Sequence, residues 1–350
     1  MRGATVAAIS VALAVLACSR AGATVYKTMR DWAVICTNGL TCTLSFSKDA
    51  AEGLTMIGLE RENAPNAPVK LVVSAPAGIA QTDDVSGAFS VSVDGADLLD
   101  VPVADMSKHR YLLAYSNPDK IKALRAAMEK GTKMTVRHAG AGGEESLTAS
   151  LSGVKAGLLF IDDVQDRVKR VDALVAKGDR PVPARPSVRD LEAFSDLPAA
   201  IRPDFEGDKG ECGGIAAGRF AEAGAFEAQL DDGAVLLGLP CGAPGAYNQP
   251  YVFYAEMGGK VRQLALPVIG DDGPTVETMA FNVSYDVGRR QVEAFYKGRG
   301  LGDCGSYDVW NLKAGPMGPV FVLKEERQKG DCDGDYAGGP KHWPRLWPPA

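Results

Sequence analysis

The sequence lacks the short motifs that mark the common enzyme classes. It contains no G-x-S-x-G nucleophile elbow, no P-loop and no H-E-x-x-H zinc motif. No C-x-x-C pair occurs, and the few histidines (His109, His138 and His342) are scattered. We therefore predict no catalytic residue, no metal site and no cofactor. Carboxylates are numerous, so a glycosidase-type pair stays open, although no spacing singles one out.

Positive charge is in short supply. Lysine and arginine number 38 against 44 aspartates and glutamates, giving a formal net charge of −6. The sequence contains no stripe of basic residues and no aromatic RNA-binding motif. A nucleic-acid-binding domain needs such a basic footprint to neutralise phosphates. The composition therefore argues against nucleic acid as the partner.

Long apolar runs are missing after the first residues, so we expect no transmembrane helix in the mature chain. Residues 6–17 form an apolar run of about a dozen residues, the length of a signal-peptide core. Ala21-Gly22-Ala23 offers a small-x-small cleavage site, so residues 1–23 are predicted to be a signal peptide. An alternative lies just before it, because residues 15–18 form a loose lipoprotein box in which Cys18 would be acylated.

Export makes disulfides the natural interpretation of the cysteines. Seven cysteines become six once Cys18 leaves with the signal peptide, and an even number in an oxidising compartment favours pairing. Two of them fall in the first half of the chain and four in the second. We predict sequential pairing: Cys36 with Cys42, Cys212 with Cys241, and Cys304 with Cys332. The alternative is that the cysteines are buried free thiols.

Two signals conflict in the first predicted hairpin. Asn38-Gly39 favours a two-residue turn. That turn would place Cys36 and Cys42 on opposite faces, because side chains alternate along a strand. A disulfide requires the two residues to lie directly opposite each other. We expect the disulfide to prevail, with an odd-length loop or a bulge near residues 38–40.

The remaining pattern predicts a mainly β (α+β) protein with two domains. Apolar runs are short and bounded by turns, and the chain contains 40 glycines and 21 prolines. Residues 24–178 are predicted to form an antiparallel sheet or sandwich with two packed helices. Residues 179–187 form a proline-rich linker. Residues 188–350 are predicted to form an antiparallel sandwich or barrel stapled by disulfides.

The predicted helices rest on caps and periodicity. Asn117-Pro118 places a capping residue before a proline at the first helical position. Apolar residues recur at steps of three and four from residue 154 to 175, which predicts a helix of about six turns capped by Ser152 and ending near Gly178. Its charged residues, including Asp162, are expected to face solvent. Ser187 is predicted to cap a further short helix.

The C-terminal fifty residues combine an acidic turn with an aromatic tail. Asp331, Asp333 and Asp335 lack the glycine and glutamate positions of an EF-hand, so an acidic turn beside a disulfide is the plain interpretation, with a cation site as the alternative. The tail either buries its rings on the second domain or exposes them as a binding patch. The candidate binding residues are Trp343, Arg345, Trp347, Trp310 and Tyr307, which Tyr247, Tyr251 and Tyr254 could extend.

These motifs resemble a known family. Asp31-Trp32-x-Val34-x-Cys36, the Gly298–Gly305 glycine motif with Cys304, and Trp343-Pro344-x-Leu346-Trp347 are similar to bacterial periplasmic proteins of the domain of unknown function 1176. That resemblance implies Gram-negative export and no established activity. The first domain also resembles invasion-associated locus B proteins, which implies a surface or host-interaction role. Neither family supplies functional residues.

We therefore interpret the chain as an exported envelope protein, most consistent with a non-catalytic module that binds an envelope or host protein or a glycan. The expected location is the periplasm, or the membrane surface through lipidated Cys18. One alternative is a periplasmic hydrolase that uses carboxylates or bound calcium. Another is a purely structural envelope protein or surface lipoprotein. The oligomeric state does not follow from the sequence.

Overall fold

The computed structural model describes residues 23–48, 54–76, 85–109, 112–141, 143–207, 209–231, 233–270 and 272–349. The predicted signal peptide, apart from Ala23, and the candidate lipidation residue Cys18 lie outside these residues. Within them, no helix is both long enough and apolar enough to cross a membrane.

The first half of the chain builds two antiparallel sheets. The larger has the order β1-β2-β3-β4-β5-β9-β8 and the smaller the order β11-β10-β6-β7. The strands of the larger sheet are β1 (Ala23–Met29), β2 (Trp32–Thr37), β3 (Cys42–Ser47), β4 (Met56–Arg61), β5 (Val69–Ser74), β8 (Ser107–His109) and β9 (Leu112–Tyr115). The strands of the smaller sheet are β6 (Ala88–Val93), β7 (Ala96–Pro102), β10 (Lys133–Gly140) and β11 (Gly143–Ser150).

The second half builds two larger sheets and a separate hairpin, all antiparallel. One sheet comprises β12 (Val188–Asp190), β13 (Phe226–Gln229), β14 (Val235–Pro240), β15 (Pro250–Met257), β16 (Lys260–Gln263) and β19 (Ala280–Phe281). The hairpin is β17 (Leu266–Gly270) with β18 (Gly273–Glu277). The other sheet has the order β20 (Ser284–Asp286), β21 (Gln291–Lys297), β22 (Gly305–Gly315), β23 (Gly318–Lys329) and β24 (Arg345–Trp347).

The predicted fold class is confirmed: the protein is mainly β, with antiparallel sheets and two helices of more than one turn among the described residues. Helix α1 (Pro118–Met128) packs against β5 and β7, and helix α2 (Val154–Val164) packs against β1, β2 and β3. A third helical segment, α3 (Ala217–Phe220), is a single turn. None of the described sheets closes into a barrel.

Helix α1 begins as predicted, because the Asn117 side chain accepts a hydrogen bond from the Lys120 amide at 3.1 Å. Its apolar face is buried through Ile121, Leu124 and Met128. The cap satisfies one amide that the first helical turn would otherwise leave unpaired, and Pro118 has no amide hydrogen to satisfy.

Helix α2 is shorter than predicted. It ends at Val164 rather than near Gly178, and its N-cap is Gly153 rather than Ser152. Asp162, expected on a solvated face, is fully buried and accepts hydrogen bonds from the amides of Leu174 and Val175 at 2.8 and 2.9 Å. The chain therefore turns back on the helix end instead of continuing it.

The buried carboxylate of Asp162 also pairs with Arg61 of β4, at 3.0 Å. The Arg61 side chain is 5 % exposed, and burial lowers its pKa while Asp162 acts in the opposite direction. Gln165 extends this network, since it accepts from Arg61 at 2.7 Å and donates to the Leu40 carbonyl at 2.6 Å. The prediction of a charged, solvent-facing helix side was wrong here because the partner lies about a hundred residues away in the chain.

In the first hairpin the Cys36–Cys42 disulfide forms and the two-residue turn does not, as predicted. Cys36 and Cys42 lie directly opposite each other, with Cα atoms 4.1 Å apart. The loop between them holds an odd number of residues, and Leu40 adopts a left-handed conformation with φ of 61°. The Thr37 amide donates to the Thr41 carbonyl across the loop at 3.0 Å.

The tip of this hairpin inserts into the second half of the chain. The Asn38 side chain donates to the Val283 carbonyl at 3.2 Å and accepts from the Tyr285 amide at 3.0 Å. The Gly39 amide donates to Asp190 at 3.1 Å, so closely that a Cβ on this glycine would lie 2.0 Å from the Asp190 amide nitrogen. One apolar core cluster accordingly runs from Trp32 to Phe321.

The predicted domain boundary at residues 179–187 stays a prediction. No described sheet contains strands from both sides of this segment, but one apolar core cluster contains residues from both sides. The segment after it differs from expectation. The short helix predicted to follow Ser187 is replaced by strand β12, which pairs with β13. Asp190 at the end of this strand is the residue that receives the first hairpin, so strand pairing fixes the position of the contact.

Candidate functional site

All three disulfides form with the predicted sequential pairing. Beyond the hairpin bridge, Cys212 bonds Cys241 and Cys304 bonds Cys332, with Cα separations of 4.3 and 5.0 Å. Each closes a loop of nearly thirty residues, which the chain-entropy account values at about 3.5 kcal/mol. Three such bonds are typical of extracytoplasmic proteins, because disulfides persist in oxidising compartments.

The acidic turn is organised by hydrogen bonds within itself. Asp333 accepts from Lys329 at 2.7 Å and from the Asp335 amide at 3.0 Å, while Asp335 accepts from the Ala337 amide at 2.8 Å. Asp331 is exposed in the same turn. In the described part of the chain, no group of three or more histidine, cysteine or carboxylate side chains has the geometry of a metal site.

Buried Asp303 anchors this turn to the loop before β22. Its carboxylate accepts two hydrogen bonds from Arg299, at 2.8 and 2.6 Å, and one from the Gly334 amide at 2.6 Å. The hydrogen bonds from Arg299 hold the pKa of Asp303 well below its usual range. The pair therefore stays ionised at neutral pH and holds the segment around Cys332 in place.

Two of the predicted binding residues are buried. The Trp343 ring is 1 % exposed, packs edge-on against Phe295 at 5.6 Å, and donates from its indole nitrogen to the Tyr336 carbonyl at 3.0 Å. Trp310 is also 1 % exposed and donates to the Pro267 carbonyl at 2.7 Å. These rings fix the C-terminal tail and the β17–β18 hairpin to the sheet, and they are not available to a ligand.

The tail folds back over one side of the five-stranded sheet, which we call the outer face. The outer face carries the side chains that point away from Trp310 and the core. Its members are Arg289, Gln291, Glu293, Tyr307, Val309, Asn311, Lys313, Val320, Val322, Lys324, Glu325, Arg327, Lys341 and Arg345.

A shallow depression of ≈ 310 Å³ lies on the outer face around Tyr307. The Tyr307 hydroxyl donates to Glu293 at 2.7 Å, and Lys341 of the tail donates to the same carboxylate at 2.7 Å. The Lys341 ammonium also lies 5.4 Å from the Tyr307 ring centroid, within cation–π range. Burial, together with the hydrogen bond to Glu293, raises the pKa of the Tyr307 phenol far above its ordinary value.

Lys324 and Glu325 of β23 form part of the wall of this depression, and Arg345 of β24 lies next to it. Glu325 accepts a hydrogen bond from Arg327 and lies 3.9 Å from the Arg345 guanidinium. Lys324 reaches across the sheet to Gln291 at 3.4 Å. Of the predicted binding residues, Tyr307 and Arg345 therefore share this surface.

The remaining aromatic candidates do not form one patch. Trp347 is 38 % exposed on β24 and Tyr247 is 39 % exposed near Gly298. Tyr251 and Tyr254 are buried in the six-stranded sheet. Whether Trp347 contacts a ligand stays a prediction.

Sequence reasoning missed Lys324, Lys341 and Glu293, which line the depression. Lys341 lies two residues before Trp343 of the tail motif, but its partner Glu293 lies 48 residues away, so no local pattern links them. In β23, exposed Val320 and Val322 flank buried Phe321. The two-residue alternation of a strand could have identified this exposed side from the sequence.

The inner face of the same sheet holds a pair of carboxyl groups that the sequence did not single out. Asp308 lies directly opposite Glu326, and Glu326 accepts from the Ile269 amide at 2.7 Å. Burial first, and then the nearby Glu326, raise the pKa of Asp308 to about 7. Burial likewise raises the pKa of Glu326, which is 6 % exposed. The pair faces the β17–β18 hairpin rather than the open depression.

A second depression, of ≈ 260 Å³, lies beside β12. Arg189 and Glu227 line it and form two hydrogen bonds, at 2.7 and 3.1 Å. Both groups are thereby satisfied by each other. The depression around Tyr307 also carries Lys324, which forms no ion pair among the described residues, so the outer face is the stronger candidate for a functional site.

Comparison with known proteins gives three similarities. The chain is 27 % identical over 341 residues to the "Uncharacterized protein YpfG" of Escherichia coli (strain K12), covering 92 % of each chain. It is similar to the crystal structure of invasion associated protein b from Bartonella henselae, with a TM-score of 0.31 and 16 % identity over 41 % of this chain and 99 % of that chain. The third is a family described as "Protein of unknown function (DUF1176)", whose pattern matches residues 26–350. With nearly its whole length matched, the chain belongs to this family, as its cysteine, glycine and tryptophan motifs predict.

Proposed function

We propose that the protein is an exported, non-catalytic module of the Gram-negative envelope that binds a protein or a glycan through its outer face. The observation that carries the proposal is the depression around Tyr307, because a folded-back tail contributes to its wall. Lys341 comes from that tail and reaches both Tyr307 and Glu293. The Lys341 side chain remains 62 % exposed in this arrangement, so its charge is accessible to a partner at the depression.

Exposed apolar side chains beside the depression support a binding role. Val320 and Val322 of β23 lie on the same face as the depression and are 36 % and 44 % exposed. Apolar side chains grouped on one surface and flanked by polar groups are typical of interaction sites. The predicted binding residues Tyr307 and Arg345 lie on the same face.

The second candidate is a periplasmic hydrolase, and the pair of Asp308 and Glu326 is the observation that favours it. A carboxyl group whose pKa lies near neutrality can serve as a general acid. The pair lies under the β17–β18 hairpin, where Glu326 already accepts a backbone hydrogen bond. An open cleft beside both groups would be needed for a substrate, so we prefer the binding role.

Site-specific photo-crosslinking in cells tests the proposal. A benzophenone amino acid replaces Val322 in the exported full-length chain, and a matched variant carries it at Val171, which is 50 % exposed in the first half of the chain. We expect a defined protein or glycan adduct from position 322 and none from position 171. Equal adducts from both positions, or none from position 322, would contradict the proposal.

A further inference from the structure

We infer that the partner of the outer face is a protein segment in which apolar residues are flanked by carboxylates. This inference rests on the proposed function and specifies its ligand. Its first basis is charge. The outer face, with Asp286 beside it, carries six cations and three carboxylates, whereas the whole chain has a net charge of −6. The cations are Arg289, Lys313, Lys324, Arg327, Lys341 and Arg345, and the carboxylates are Asp286, Glu293 and Glu325.

The carboxylates of this surface are already neutralised by its cations. Glu293 pairs with Lys341, Glu325 with Arg327, and Asp286 with Arg289 at 3.1 Å. Within the described residues, neither Lys313 nor Lys324 forms an ion pair. The uncompensated charge of the outer face is therefore positive, and it is complementary to an acidic partner.

A β-bulge in β23 orients the Lys324 side chain toward the depression. Val309 pairs with Glu325 while the next residue of β22, Trp310, pairs with Leu323, so Lys324 is the extra residue of the pair of strands. Such bulges redirect side chains and are frequent beside functional sites. Here the bulge lets Lys324 extend over the depression, where Gln291 accepts a hydrogen bond from its ammonium group.

The second basis is the apolar row next to this charge. Val320 and Val322 lie two residues apart on the same face, about 7 Å from each other along the strand. Val322 pairs with Asn311, whose side chain accepts from Gln291 at the rim of the depression. An apolar row and a basic depression thus form one continuous surface.

A sugar ring fits this surface less well than a peptide does. Carbohydrates stack on exposed aromatic ring faces, but Tyr307 is 6 % exposed with Lys341 beside its ring. Trp310 and Trp343 are buried. Apolar and acidic side chains of a polypeptide can instead satisfy the valines and the lysines together.

The direct test uses a fluorescein-labelled twelve-residue peptide in which leucine or valine alternates with glutamate, and a matched peptide with glutamine in place of glutamate. Fluorescence anisotropy measures binding of each peptide to the full chain with its disulfides intact. We expect the acidic peptide to bind about tenfold more tightly in low salt, and the advantage to shrink in high salt because ions screen exposed charges. Lys324→Glu should weaken binding of the acidic peptide about three- to tenfold.

Lys122→Glu, an exposed charge reversal on α1, is the matched control and should leave binding unchanged. Equal affinity for the two peptides, or equal loss in the two variants, overturns the inference. So does Lys324-dependent binding of polygalacturonate without binding of the acidic peptide. A crosslink from position 322 without acidic-peptide binding would remove this inference and leave the proposed function standing, whereas failure of both experiments removes both.

Discussion

Replacing Asp308 by asparagine should stabilise the protein above neutral pH. The Asp308 carboxyl lies opposite Glu326 on the inner face of the five-stranded sheet, and its pKa is raised from 3.8 to about 7. Between these two values the unfolded chain has released the proton while the folded chain retains it. Folding stability therefore falls as the pH rises from about 4 to about 7, because the folded state then binds more protons than the unfolded state. Asparagine cannot ionise and so removes this loss.

The size of the effect follows from the proton equilibrium. Each tenfold change in the acid dissociation constant corresponds to about 1.4 kcal/mol. The rise in the pKa of Asp308 from 3.8 to about 7 therefore corresponds to about 4 kcal/mol in a water-free site. Asp308 is only partly buried, and screening by water reduces the expected gain to about 1–3 kcal/mol. In a chain of this size each kcal/mol raises the melting temperature by roughly 2 °C. We expect Asp308→Asn to melt about 2–6 °C above the parent protein at pH 8.

Thermal unfolding at pH 4, 6 and 8, at constant ionic strength and without reductant, measures the difference. The gain should be largest at pH 8 and smallest at pH 4, where the folded-state carboxyl is protonated and the unfolded-state carboxyl is close to its ordinary pKa of 3.8. Asp97→Asn, an exposed change on β7, serves as the control and should show no such trend. A gain that does not depend on pH, or a loss of stability at pH 8, would refute the reasoning.

Four further substitutions test the packing. Asp162→Ala leaves Arg61 buried without its partner and should cost about 3–5 kcal/mol, measured by urea unfolding. Asp190→Ala removes the acceptor of the Gly39 amide and should cost about 1–3 kcal/mol; an unchanged urea midpoint would argue against the hairpin insertion. Trp343→Ala empties a buried site and should cost about 3–5 kcal/mol in calorimetry, whereas Trp347→Ala should change the melting temperature little, and equal effects would contradict the burial difference.

The first hairpin was predictable because chemistry overrides local turn preference. A disulfide fixes which residues face each other, and the Asn38-Gly39 turn would have misplaced them by one position. The structure satisfies the bond by placing Leu40 in the left-handed region. Insertion of that hairpin tip against Asp190 was not predictable, because a contact across 151 residues leaves no mark in either local sequence.

Helix α2, in contrast, was predicted to be longer than it is, because its sequence pattern continues beyond its end at Val164. Valine periodicity continues past residue 164, and no proline or glycine interrupts it before Gly178. The helix ends because buried Asp162 accepts two amide hydrogen bonds from the returning chain and pairs with Arg61. A charge that looks solvated on a helical wheel can be buried when a distant arginine compensates it, and the sequence pattern alone gives no sign of that partner.

The candidate site was predicted in part. The aromatic tail directed attention to the five-stranded sheet, and two of the predicted binding residues, Tyr307 and Arg345, lie on its outer face. The tail's most conspicuous ring, Trp343, turned out to be buried against Phe295. The charges that define the surface come from strands that are brought together only by sheet formation, so their grouping required the strand register.

The most direct measurement of the central claim is the yield of the photo-adduct at position 322, compared in three backgrounds: the parent chain, Lys324→Glu and Lys122→Glu. The account predicts a defined adduct in the parent chain, a clearly lower yield with Lys324→Glu, and no change with Lys122→Glu. An adduct whose yield is the same in all three backgrounds would contradict the assignment of the outer face as a charged binding surface.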